Sequence, residues 1–338
     1  MSVTAEVALA EPVAVKRGGA LRQRLQQFMA AIGLVVIFAV FSIMAPGTFA
    51  TWESISNILL SATLVGCLGM GATFVIVTAG IDLSAGTGMA LTAVMAGMFL
   101  THWGFPTVWG ILATLVCGMI FGSLNGLMIT RLGLPPFIST LAMMWIAEGL
   151  TLVIPNMNPL VLDSARYPDM YALANGTLIP GLPNAVLVLV VAVIVAFIIF
   201  NKTIFGRYDI SIGSNSEATA LSGVNVKKWL IIIYAAAGMF TALAGVLYIA
   251  RFSGITSATT GVGFEMQAIA ATVIGGTSLS GGKGSIIGTL IGALVMATIN
   301  YGLLVTGVPQ QWQNVILGLV IVIVVFIDQA RVRRANAH

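Results

Sequence analysis

Residues 284–327 read GSIIGTLIGALVMATINYGLLVTGVPQQWQNVILGLVIVIVVFI, without a single Asp, Glu, Lys, Arg or His. Drawn out as one helix rising 1.5 Å per residue, the run would be about twice the ~30 Å of hydrocarbon in a bilayer. It must therefore fold back, and Gly307-Val308-Pro309 near its middle supplies the turn. The same absence of charge recurs over 25–52, 54–81 and 103–130. Of 338 residues, 58% are hydrophobic and 8% charged, against about 45–50% and ~25% in soluble globular chains. The mean hydropathy is +1.03. These values exclude a water-soluble enzyme and a disordered chain. The 38 glycines follow no three-residue period, which excludes a collagen-like one. The fold class is an all-α polytopic membrane protein.

Breakers divide the chain into ten candidate helices at 28–45, 57–79, 85–101, 108–130, 137–154, 185–201, 229–250, 265–277, 285–306 and 312–327. Pro46-Gly47, Gly80-Ile81-Asp82, Gly104-Phe105-Pro106, Pro135-Pro136 and the polar stretch 155–183 separate the first six. With the N-terminus in the cytoplasm, all 15 Lys and Arg residues except Arg166 and Arg251 fall inside, as the positive-inside rule requires. Both termini are then cytoplasmic. A tail over 1–27 precedes a transmembrane domain over 28–328, whose largest cytoplasmic loop is 202–228, and a second tail covers 329–338. A cleavable signal peptide is the rival reading of the first span, but the apolar run exceeds a typical signal core and further spans follow. The eighth span is short enough to be re-entrant. The net charge of +4 reports orientation in a membrane rather than affinity for nucleic acid. Cys67 and Cys117 sit inside spans and form no disulfide framework, and His102 and His338 suggest no metal site.

Two glycine stripes stand out. The fourth span carries Gly118, Gly122 and Gly126, and the ninth carries Gly284, Gly288 and Gly292. Each lets two helix backbones approach closely in lipid. The stripes lie five helices apart, and an odd offset reverses direction through the membrane. Such a pair is what an inverted repeat of helices two to five and seven to ten would leave behind, although glycine is common in membrane helices anyway.

Charges inside the spans are few. Asp82, in Gly80-Ile81-Asp82-Leu83-Ser84, needs a reason, since a charge at mid-bilayer costs about 2.5–3.5 kcal/mol on insertion scales. Asp82 or Ser84 is expected to cap the third helix; the other reading is a broken helix lining a pathway or facing a partner. Glu265 starts the eighth span, where a negative residue is favoured. Glu148 lies inside the fifth span with no basic residue one turn away. Gly275 to Ser285 superficially looks like a phosphate loop, but Thr277 and Gly284 stand where that loop needs Gly and Ser or Thr. In the loop 202–228, Asn215 or Ser216 can cap a short helix from Glu217 to about Ser222, which Gly223 ends. A bare connector needs no capped helix; a docking element for a cytoplasmic partner does.

Glu217-Ala218-Thr219 followed by Gly223 resembles the coupling loop of ATP-binding-cassette importer permeases, and the segment from Gly213 to Val226 is similar to that of ribose-type sugar permeases. Gly80 to Ser84, Asn125-Gly126 with Pro135-Pro136-Phe137-Ile138 and Thr140-Leu141, and the run from Gly261 to Asp328 agree, so the likeness covers roughly 28–330. The resemblance implies a ten-helix permease subunit in the bacterial inner membrane, paired with a second copy or homologue. It also implies a partner ATPase that binds ATP and magnesium, a periplasmic sugar-binding protein, and no cofactor or catalysis on this chain. On it, Glu217, Ala218, Thr219 and Gly223 form the ATPase-docking element, while Asp82, Ser84, Asn125 and Glu148 belong to the pathway or the helix break. Thr219 stands where the family usually has Ala, Glu148 where Arg is common, and Tyr301 where Gly is usual. The competing function is an ion-coupled sugar carrier using Asp82, Glu148 and Glu265, which would have no use for the capped helix.

Overall fold

The computed structural model describes residues 18–255 and 260–336. The expected tail residues 1–17, with Lys16 and Arg17, and 337–338, with His338, lie outside the described residues. Thirteen helices and one two-stranded pairing make up the rest. They are α1 (Gly18–Met44), α2 (Trp52–Val77), α3 (Ala85–Thr101), α4 (Thr107–Arg131), α5 (Pro136–Val153), β1 (Leu160–Val161), α6 (Pro168–Asn175) and α7 (Asn184–Lys202). Then follow α8 (Ile204–Ser214), α9 (Ser216–Leu221), α10 (Val226–Phe252), β2 (Gly254–Ile255), α11 (Phe264–Ile274), α12 (Ile286–Val305) and α13 (Gln310–Asn336). Each of the ten expected spans is a helix. Seven helices among the described residues are long and apolar enough to cross a membrane, and α3, α11 and 310–326 of α13 are shorter apolar helices.

The ends follow from local chemistry. Thr51 caps α2 by accepting from Ser54 N at 3.2 Å, and Ser285 caps α12 by accepting from Gly288 N at 3.0 Å. Pro135 and Pro183 precede α5 and α7, where a missing N–H costs nothing. The stretch between α5 and α7 is not bare loop. It holds α6, and β1 pairs antiparallel with β2, Leu160 opposite Ile255 and Val161 opposite Gly254.

Helix α2 is the centre of the molecule, packed by α10, α12, α11 and α7. Buried Phe74 of α2 meets Phe240 of α10 edge-on at 5.7 Å. Helix α10 in turn packs on α4 and α3, and α12 on α11 and α1. Hydroxyls in these apolar helices bond backward to the carbonyl four residues earlier, as Thr73, Thr92, Thr114, Thr130, Thr151, Thr241 and Thr272 do. That satisfies them without water. Thr73 of α2 and Thr289 of α12 also meet at 2.7 Å.

The two glycine stripes face different kinds of partner. On α4, a Cβ at Gly118 or Gly122 would collide with the carbonyl of Gly238 or Tyr234, and one at Gly126 would sit 2.7 Å from Ile231 Cα, all on α10. On α12, Gly288 and Gly292 press instead on the backbone of Gly275 and Ala271, at the end of α11; Gly284, expected on the same helix, precedes its Ser285 cap and meets Val77 and Phe200. Backbone cannot yield as a side-chain tip can, so overpacking here costs more than the ~1–3 kcal/mol typical of a core. Gly122→Leu and Gly288→Leu are each expected to abolish the monodisperse peak in size-exclusion chromatography of detergent extracts. Gly33→Leu, at a position with open space around it, is expected to retain that peak.

Candidate functional site

Two sites emerge: an exposed short helix on a rigid base, and a buried break between α2 and α3. The short helix is α9. Asn215 precedes it in extended conformation and its Oδ1 accepts from Ala218 N at 2.9 Å. The Thr219 hydroxyl donates to Asn215 O at 2.7 Å, and Thr219 is the buried residue of the helix. Glu217, Ala218, Ala220 and Leu221 are exposed, Leu221 to 89%. Gly223 takes φ +86° and its N–H bonds to Ala220 O at 3.0 Å, which ends the helix where a Cβ-bearing residue would be strained. Asn225 then caps α10, accepting from Lys228 N at 3.0 Å.

The base of this element is α8, a helix inside the expected loop 202–228. Its N-cap is Thr203, accepting from Phe205 N at 3.1 Å. Phe205 meets Phe74 edge-on at 5.1 Å and Trp229 at 6.2 Å, and Tyr208 meets Trp229 at 4.9 Å. Gly206 lies on the backbone of Phe200 and Gly213 on the carbonyl of Val77. That same carbonyl accepts from Gly282 N at 2.8 Å, so α8, the end of α2 and the α11–α12 loop converge on one point.

Between Gly206 and Gly213 on the same face lies Asp209, fully buried, with neither carboxylate oxygen hydrogen-bonded. Burial pushes its carboxyl well above the usual carboxylate range. No motif marks it, although glycines three residues before and four after it outline a closely packed helix face.

At the break, Ala79 adopts φ +61° and Gly80 to Asp82 belong to no helix or strand. Asp82 does not cap α3, and neither does Ser84. Ser84 has helical backbone angles and makes no side-chain cap bond. Instead Asp82 Oδ1 accepts from Ser84 N at 2.8 Å and from Ser84 Oγ at 2.6 Å. A carboxylate two residues before an N–H closes its own turn and so is not free for the helix end. Asn125 Nδ2 of α4 donates to Ser84 Oγ at 2.9 Å, and the Thr140 hydroxyl of α5 donates to Ile81 O at 3.2 Å. Tyr234 of α10 lies against Gly80; its hydroxyl and Asn125 Oδ1 are buried without a partner.

The first turn of α3 has another negative neighbour. The Glu265 carboxylate occupies the space a side chain at Gly86 would need, and it accepts from Gly263 N at 3.0 Å. The N-terminal ends of α3 and α11 therefore meet beside one carboxylate, a favourable place for it. Their apposition was not legible in sequence. Glu148 stands apart. It lies half-buried on α5 beside exposed Trp145, Ile146 and Leu150, and no hydrogen bond among the described residues joins it to Asp82, Ser84 or Asn125. Asp82, Glu148 and Glu265 thus share no ligand geometry.

A family model described as branched-chain amino acid transport system, permease component, matches residues 54–325. A ribose import permease protein of Bacillus subtilis is 38% identical over 301 residues, covering 89% of this chain and 92% of that relative. A fructose import permease protein of Rhizobium meliloti is 38% identical over 325 residues, 91% of this chain and 89% of that relative. A xylose transport system permease protein of Haemophilus influenzae is 32% identical over 367 residues, 92% of this chain and 98% of that relative. No solved structure matches.

Asp209 yields a pH-dependent test. An unfolded Asp loses its proton near pH 3.9, whereas the buried carboxyl holds it to higher pH. Between those values the unfolded chain binds fewer protons, so stability falls as pH rises. Asp209→Asn is expected to melt about 3 °C or more above the parent at pH 8. That gap should close toward pH 4 in a detergent thermal-shift series. A gap independent of pH would count against the buried-carboxyl account.

Proposed function

This chain belongs to the family of branched-chain amino acid transport system permease components and is a permease subunit of a sugar importer of the ATP-binding-cassette type; from that premise we propose how it is arranged and driven. The observation that carries the proposal is α9, a capped, exposed helix on a base packed into α2 and α10. Glu217, Ala218 and Leu221 form the surface on which a partner ATPase docks. Thr219 and Gly223 shape that surface from within. ATP and magnesium are held by that partner, and this chain supplies the pathway and no catalytic group. A periplasmic binding protein delivers a monosaccharide or related small sugar.

The ten helices cross the inner membrane with both termini cytoplasmic, α11 doing so only in part. At 1.5 Å per residue its 11 residues reach about half the hydrocarbon thickness. Lys202, Arg207, Lys227 and Lys228 around α8 and α9 support the cytoplasmic placement of that loop. Helices α2–α5 and α10–α13 form an inverted repeat. The support lies in matched packing: α2 with α12 answers α10 with α4, α3 with α10 answers α11 with α2, and α3 with α5 answers α11 with α13. The glycine stripes do not follow that match, since Gly288 and Gly292 face α11 rather than α2. A second permease covers the outer face of α5. A carboxylate such as Glu148 turned to lipid costs about 2.5–3.5 kcal/mol, which a partner surface removes.

In proteoliposomes carrying the complete importer, Glu217→Lys is expected to lower ATP-driven sugar uptake at least about tenfold, because reversing a charge at an interface costs several kcal/mol. Membrane insertion should be unchanged, and the ATPase should no longer co-purify. Parent uptake at constant ATP is expected to survive a proton uncoupler. Its collapse would favour an ion-coupled carrier.

A further inference from the structure

The last turn of α10, the first turns of α11 and α13, the outer half of α12 and Ser61, Leu64 and Val65 of α2 line a partly open cavity of about 390 Å³. That volume falls within the ~300–1,000 Å³ of small-molecule sites and exceeds what a single sugar ring needs. Its wall gathers polar groups that are scarce elsewhere in these helices. Arg251, Gln267, Asn300 and Tyr301 line it together with the ring of Phe252.

Polar side chains inside a span are costly unless they find partners. Here they are only partly satisfied by one another. Asn300 Nδ2 donates to Gln267 Oε1 at 2.7 Å, tying α12 to the half-length α11. That bond leaves the Gln267 amide N–H groups and Asn300 Oδ1 without a hydrogen bond among the described residues. The Arg251 guanidinium lies 5.0 Å from the Phe252 ring centre and joins no acidic residue among those described. The Tyr301 hydroxyl has only long contacts, at 3.4 Å, with Ser54 and Asn57.

The chemistry of this wall selects a class of ligand. Arginine and amide N–H groups donate, amide oxygens accept, and the tyrosine hydroxyl does both. A neutral polyhydroxylated molecule offers both functions at every hydroxyl, and its C–H face suits the Phe252 ring. Among the described residues the cavity wall has no carboxylate and carries the positive Arg251, which favours a neutral ligand over a cation. We propose that this cavity is a resting site for the transported sugar on the outer side of the membrane, with Arg251, Gln267 and Asn300 bonding its hydroxyls. The proposal rests on the sugar-importer reading and the orientation given above, and it assigns residues to the route.

The test uses the complete importer in proteoliposomes, with Cys67 and Cys117 replaced by Ser. Ser61→Cys places a thiol in the cavity wall. Leu178→Cys places one on the exposed outer connection, far from it in the chain. A membrane-impermeant thiol reagent is added outside, and uptake of labelled ribose, xylose and fructose is followed. Modification of Ser61→Cys is expected to cut uptake about tenfold or more, the effect of losing one or two hydrogen bonds to the sugar. Modified Leu178→Cys should transport as before. In a second arm, Asn300→Leu keeps the branched shape of the side chain and removes the amide's donor and acceptor. The number of sugars moved per ATP hydrolysed is expected to fall severalfold, whereas a merely misfolded fraction lowers transport and hydrolysis together. Full uptake by modified Ser61→Cys, or an unchanged ratio in Asn300→Leu, overturns the cavity assignment alone. Collapse of the parent's sugar uptake under a proton uncoupler at constant ATP overturns the importer reading and this proposal together.

Discussion

A backbone N–H or C=O in hydrocarbon has no water to bond, so a helix interrupted within the membrane must be sealed by protein. This chain breaks its helical path between α2 and α3 and again before α11. Side chains meet the described residues at both. Asp82 and Ser84 close the first with bonds that reach Asn125 on α4, while Ile81 O is met by Thr140 on α5. The second is met by Glu265 bonding back to Gly263 beside Gly86. Enclosure demands close approach of the surrounding helices. Gly118, Gly122 and Gly126 provide it on one side, and Gly288 and Gly292 on the other.

The same reasoning separates the inside of the molecule from its periphery. Helix α2 is 89% buried over its most apolar window, whereas α1 is 11% buried. Both are strongly apolar, so hydropathy cannot distinguish them; what differs is residue size. Helix α2 carries Gly66, Gly69 and Gly71, where a Cβ would crowd Leu189, Thr289 and Ala237, while Gly33 on α1 meets nothing. In lipid, apolar surface gains little by burial against another helix, so close backbone contact and hydrogen bonds decide what packs.

That explains which features could be read in advance. The helices at the ten expected segments were legible because charge-free length and Gly-Pro breakers are local signals. The Asn215-capped helix was legible for the same reason. Helix α8 was missed because Arg207, Asp209 and Ser211 make its composition loop-like, and its apolar face is aromatic and glycine rather than aliphatic. The expected cap on α3 failed because Asp82 is close enough to Ser84 to bond it directly, a competition that spacing alone cannot rank. The meeting of Gly86 with Glu265 joins residues far apart in sequence. So does the burial of Asp209. Long-range apposition has no local signature.

How the exposed helix connects to the rest constrains how a push on it would travel. Helix α9 is joined through Asn215 to α8, whose Phe205 and Tyr208 are wedged against Phe74 and Trp229. Close-packed aromatic contacts transmit displacement because they are not continuously deformable. Val77 O adds the α11–α12 loop through Gly282 N. A force applied at Glu217 and Leu221 therefore acts on α2 and α10 at once, and on the loop leading into α12. Those helices carry both the break at Asp82 and the walls of the outer cavity. A push on the short helix is thus carried toward the Asp82 break and toward the cavity beside Arg251 through a few packed side chains.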